Sequence, residues 1–194
     1  MNKSIGLLSI LMMTSVANGT LFISVNGTLD SHIYMNPGEY AAIGVFGDGG
    51  TPSNTRLFLF TVGPCSLDAA QAQIFYPGDL SRVEAGLIPD DYERIADAGY
   101  SYPGSVVFIE LADSSVPPPP LYGVLVDWID FYACRVANVT IYLTDYQDPT
   151  IGYDTLLINI PEPMSIALLA LGGLALCLHK RQQAKMSQAT HLIH

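Results

Sequence analysis

Apolar and polar side chains alternate along the middle of this 194-residue chain, most clearly over Asn138-Val-Thr-Ile-Tyr-Leu-Thr144, where Val139, Ile141 and Leu143 fall on one face of an extended segment. Period two is the geometry of a half-buried β-strand, because successive side chains leave the pleat on opposite sides. Runs rich in β-branched and aromatic residues recur at Leu21–Val25, Tyr40–Phe46, Arg56–Val62, Ser105–Leu111, Leu121–Trp128 and Thr155–Ile160. These residue types fit a pleated sheet. Between the runs stand the turn formers Gly47-Asp-Gly-Gly50, Pro77-Gly78, Pro103-Gly104 and Asp148-Pro149. Short strands with such punctuation predict an all-β fold, an antiparallel β-sandwich. One short helix is expected, with Asp90 as N-cap, Glu93 three residues on, and an end at Ala98-Gly99. It would form a lid or crossover on the sandwich. Pro117–Pro120 is stiff and lacks N–H donors, which makes it a spacer between strands.

The charges separate this body from the chain ends. All 18 acidic residues lie between Asp30 and Glu162, where the bases are Arg56, Arg82, Arg94 and Arg135, a net of −14 for that stretch. Such a body repels phosphate backbones, so no nucleic-acid partner is expected. The other bases, Lys3, Lys180, Arg181 and Lys185, flank two apolar segments. Residues 1–17 read as a signal peptide: Lys3, the apolar run Ile5–Met13, and a small-x-small site that places cleavage after Ala17, with Gly19 as the close alternative. Met164–Leu178 is an uncharged run followed by His179-Lys180-Arg181. As a helix rising about 1.5 Å per residue it reaches roughly 22 Å, short of a hydrocarbon core of about 30 Å. The basic flank would stay cytoplasmic, leaving 182–194 as a cytoplasmic tail and the 18–160 sandwich on the far side.

Before the apolar run stands Pro161-Glu162-Pro163, an extended element that neither helix nor sheet absorbs. By its order of Pro-Glu-Pro, short apolar helix and basic cluster, the 161–181 segment resembles the PEP-CTERM sorting signal of Gram-negative bacteria with extracellular matrix. The resemblance implies transient passage through the inner membrane, removal of the tail by an exosortase, and delivery to the cell surface or exopolysaccharide. One departure is the thirteen residues that come after Arg181. The alternative is an ordinary rigid linker before a permanent membrane anchor. Leu125-Val-Asp-Trp-Ile-Asp-Phe131, Cys134, Asn138–Leu143 and a last strand running into Pro-Glu-Pro resemble, more loosely, cohesin-like jelly-roll domains. That resemblance implies a binding or matrix module and names no ligand.

Cys65 and Cys134 both lie in the expected exported body, where a bridge would close a loop worth on the order of 4 kcal/mol. Two reduced thiols buried as small apolar groups are the alternative. Cys177 falls in the apolar run. His32 is the one histidine outside the tail, which leaves little for Ser-His-Asp chemistry, and no catalytic residue is assigned. A glycan hydrolase needs only two carboxylates and stays open as the alternative function. No metal site or cofactor is assigned. Asp145, Gln147 and Asp148, or Asp48 in its Gly-rich loop, offer oxygen atoms to Ca²⁺ without matching an EF-hand spacing. Trp128 is the candidate glycan contact, alone or in a platform with Tyr122, Tyr132 and Tyr142, although period-two placement leaves its face undecided. The expectation is a non-enzymatic structural or adhesive protein contacting exopolysaccharide or another surface protein.

Overall fold

Residues 21–50, 54–86 and 89–162 are described in the structure, a computed structural model. The apolar runs become strands β1 (Leu21–Val25), β3 (Tyr40–Asp48), β4 (Thr55–Val62), β8 (Ser105–Leu111), β9 (Tyr122–Tyr132), β10 (Ala137–Asp145) and β11 (Gly152–Ile160). Four shorter strands join them: β2 (His32–Tyr34), β5 (Ser66–Asp68), β6 (Gln73–Ile74) and β7 (Arg82–Ala85). They form two sheets. Sheet A has the order β1-β3-β9-β5, with β6 also on β9, and sheet B runs β2-β11-β10-β4-β8-β7. Pairing is antiparallel except that β2 lies parallel to β11, a departure from the all-antiparallel expectation.

The inward faces meet in one core. Leu21, Ile23, Ile43, Val45, Ile129 and Phe131 of sheet A pack on Leu57, Leu59, Ile109, Ile141, Leu143 and Ile158 of sheet B, each almost fully excluded from solvent. Val139, Ile141 and Leu143 do share the core face, as their alternation required. The continuous run Leu57-Phe58-Leu59-Phe60 has a different cause, since β4 is covered on both sides. Phe58 and Phe60 point away from the sandwich and form a second cluster with Val106 and Ile95 of helix α1 (Pro89–Asp97). Arg94 holds this helix down: its guanidinium donates to the carbonyl of Tyr146 and lies 4.6 Å from the Tyr146 ring centre and 5.6 Å from that of Phe58.

Helix α1 begins at Pro89 rather than after an Asp90 cap, so Asp90 falls in the first turn, beside Asp91, and Glu93 lies past it. Proline suits that position because its missing N–H has no helical partner there. Gly99 ends the helix as expected, with φ of +96°. His32 belongs to β2, and its ring lies 4.8 Å from that of Tyr34. Gly47 lies inside β3, where an added Cβ would sit 2.3 Å from the Leu121 carbonyl oxygen. The signal peptide with Ala17, together with Pro163, the 164–178 span, His179, Lys180, Arg181 and the 182–194 tail, lies outside the described residues. Among the described residues no helix is long and apolar enough to cross a membrane.

Candidate functional site

Strand β9 gains two residues on its partner β3. Between the residues paired with Phe46 and Val45 it carries Leu125, and opposite Gly44 it carries both Asp127 and Trp128. Each insertion is a β-bulge, which reverses the parity of the side chains after it. Leu125 and Val126 therefore both enter the core, while Trp128, two residues beyond Val126, is 46% exposed. Sequence alternation alone leaves the face of Trp128 undecided, and the bulges decide it.

The second bulge is built by its neighbours. Trp128 has φ of +62°, a conformation that bulky side chains seldom adopt. Its backbone N–H donates to the Asp127 carboxylate at 2.8 Å. Gly44 supplies the room, since a Cβ there would lie 2.6 Å from Ser24 Oγ and 2.8 Å from the Val126 carbonyl oxygen.

Beyond the bulge regular alternation resumes, so Trp128, Asp130 and Tyr132 share the outer face of sheet A over about 13 Å. Tyr40 pairs with Tyr132 across the strands at a ring separation of 4.8 Å, and Ala42 stands opposite Asp130. The result is an open strip with an indole at one end, a tyrosine pair at the other and, between them, the carboxylates of Asp130 and its cross-strand neighbour Asp68. Aromatic faces and hydrogen-bond acceptors on an exposed sheet face suit the apolar C–H faces and hydroxyls of a sugar chain.

The four-ring platform expected from sequence does not assemble. Tyr142 belongs to the outer side of sheet B, where it stacks with Phe60 at 5.4 Å and packs on Tyr100. Tyr122 is on the outer face of sheet A, opposite Asp48, but six residues from Trp128 along β9 and beyond both bulges. Tyr40 takes their place. The cross-strand register that brings it to Tyr132 leaves no mark in a single sequence.

The other candidates fall elsewhere. Asp145 accepts from the backbone N–H groups of Gln147 and Asp148, and Asp148 accepts from Thr150, so the carboxylates of the β10–β11 turn are engaged in holding the turn. Asp48 accepts from the Gly50 N–H. Among the described residues no group of three or more His, Cys, Asp or Glu is placed to hold a metal ion. Cys65 and Cys134 carry free thiols side by side. Ile160 ends β11, Pro161 is half-buried, and Glu162 is exposed just beyond the sheet.

A polar cleft of about 790 Å³ opens at the end of sheet B between Arg56, Glu110, Asp113, Asp145 and Tyr153. Burial pushes the Tyr153 phenol up, and the Asp145 charge adds to it. For Glu110 burial alone would raise the carboxyl, but hydrogen bonds from Arg56 at 2.6 Å and Arg82 at 2.8 Å outweigh it and hold the pKa below its ordinary value. Glu110 thus stays ionised at neutral pH and has no proton to give a leaving group. Glu39 and Asp79 are also held low, by hydrogen bonds from Asn36 and Ser114.

The Glu110 network has a consequence for stability. A carboxyl whose pKa falls on folding contributes fully above its unfolded value, near 4.5, and loses that contribution as pH drops through the folded value. With both arginines half exposed the expected size is about 1 kcal/mol or less. Urea unfolding of wild type and Glu110→Gln should differ more at neutral pH than under strongly acid conditions. An equal difference at both would separate Glu110 from the acid sensitivity.

Fold and surface together define a β-sandwich with an open aromatic strip on one sheet. No protein-family profile matches the chain, and no curated protein matches it significantly. Among solved structures it is similar to a type II cohesin domain from the cellulosome of Acetivibrio cellulolyticus, with 11% identity, 73% of this chain and 95% of that one covered, and a TM-score of 0.45. It is also similar to the CaDoc0917–CaCohA2 complex, at 17% identity, 73% and 99% coverage, and a TM-score of 0.31. A type I cohesin–dockerin complex from Clostridium thermocellum gives 11% identity, 73% and 99% coverage, and 0.34. At this level of similarity no ligand or partner passes from those domains to this chain.

Proposed function

We propose that the protein is an exported, non-enzymatic structural or adhesive component of a bacterial cell surface or exopolysaccharide matrix, with the outer face of sheet A as its polysaccharide contact. The observation that carries this reading is Trp128, held out of the core in a left-handed conformation at a bulge. A bulky residue in that conformation is strained, and strained positions cluster where function needs them. The strip is open and runs along a strand, which suits an extended chain more than a small molecule. The strongly negative body favours a neutral polysaccharide over a polyanion.

Sorting rests on the Pro161-Glu162-Pro163 element together with the apolar run Met164–Leu178 and the basic cluster His179-Lys180-Arg181. The precursor spans the inner membrane transiently, an exosortase removes the tail, and the sandwich is secreted or retained at the surface; it works without a cofactor. An exposed Glu162 just beyond the last strand supports this, because a processing enzyme needs reachable backbone. Glu162→Ala is expected to leave full-length precursor in the membrane fraction and to remove the shortened form from the matrix, read by intact mass. An unchanged distribution would favour a permanent anchor.

A further inference from the structure

We infer that Cys65 and Cys134 form a thiol pair that closes to an intramolecular disulfide and staples a corner where the chain crosses between the two sheets. Cys65 ends the short connection from β4 in sheet B to β5 in sheet A, and Cys134 lies two residues beyond β9. Strands β5 and β9 pair with Ser66 opposite Tyr132, which carries the cysteines into adjoining positions just past the ladder. The Cys134 N–H donates to Cys65 Sγ at 3.1 Å, and Cys134 Sγ donates to the Pro64 carbonyl at 3.4 Å. Both sulfurs therefore occupy the same gap between the two connections.

The corner is held independently of the thiols. Thr61 Oγ1 donates to the Cys65 carbonyl at 3.0 Å, and the Gly104 N–H donates to the Thr61 carbonyl at 2.8 Å. A Cβ on Gly104 would lie 2.3 Å from the Gly63 carbonyl oxygen. With this backbone fixed, each sulfur is held within hydrogen-bond reach of the other cysteine's segment. Cys65 is buried at 1% exposure while Cys134 is partly open, so the two have distinct parts to play.

The oxidant is a small-molecule or protein disulfide. The Cys134 thiolate attacks one of its sulfurs, forming a mixed disulfide and expelling the first thiolate. Cys65 then loses its proton, attacks Cys134 Sγ and expels the second. Two protein thiols are oxidised, one oxidant disulfide becomes two thiols, and the two protons end on the leaving groups. Burial, with the neighbouring Cys65, pushes the Cys134 thiol up, so the first step quickens as pH rises.

The test uses the full chain in detergent with Cys177→Ala, so that the signal comes from this pair alone. Incubation with oxidised glutathione should remove two hydrogen atoms by intact mass, link the Cys65 and Cys134 peptides in a non-reducing digest, and raise the thermal midpoint by on the order of 10 °C. Cys65→Ser in the same background should instead retain one glutathione on Cys134. Two thiols that stay open to alkylation in the oxidised folded protein would overturn the inference, as would a lasting glutathione adduct when both cysteines are present. The contact proposed for sheet A does not depend on either result.

Discussion

Trp128→Gly is expected to weaken binding to exopolysaccharide by roughly tenfold or more while leaving the unfolding free energy unchanged or raising it by up to about 1 kcal/mol. The two effects have separate causes. Removing the indole takes away the largest apolar face of the strip, whereas glycine accepts a φ of +62° without the clash that a Cβ brings. A tryptophan placed for packing would behave in the opposite way, since deleting it would lose contacts and stability. Trp128→Ala refines the comparison, because alanine loses the ring but keeps the conformational cost. Affinity by co-sedimentation and stability by urea unfolding read both sides, and a large loss of stability in the glycine variant would assign Trp128 to the fold.

Phe131→Ala is expected to cost about 3–5 kcal/mol, a large part of the total for a domain of this size. Phe131 is fully buried on the inward face of β9, between partners Ala41 and Leu67 on either side. Its ring fills the space between the two sheets, and a small residue would leave a cavity that rigid strands close only in part. The neighbouring Tyr132 provides the control, since it lies on the opposite face and is 36% exposed. Tyr132→Ala should cost far less stability but weaken polysaccharide binding. A loss under about 1 kcal/mol for Phe131→Ala would contradict a core packed between the two sheets.

Much of the fold was written in the alternation. Val139, Ile141 and Leu143 point where period two sends them, and each of the seven apolar runs became a strand. The four short strands escaped because two to four residues carry too little pattern to stand out from loops, and β2 and β6 also borrow their pairing from distant partners. Trp128 was legible as a candidate by residue type alone. Its exposure, two residues after the buried Val126, depended on bulges that the sequence marks only by glycines inside strand runs, Gly44 in β3 and Gly123 in β9. Tyr40 was invisible as a site residue for a related reason, because register is a property of two strands and neither announces it. The helix was anticipated, but its start was misplaced: Asp90, which with Glu93 resembles a capping box, stands one residue inside a proline that begins the helix.

The most direct test of the central claim is co-sedimentation of the protein from its own host with that host's exopolysaccharide, with reducing ends assayed in the same tubes. Saturable binding that releases no new reducing ends, and that weakens in Trp128→Ala, is the predicted result. Release of reducing ends, or binding that Trp128→Ala leaves untouched, would contradict the reading of sheet A as a non-enzymatic polysaccharide contact.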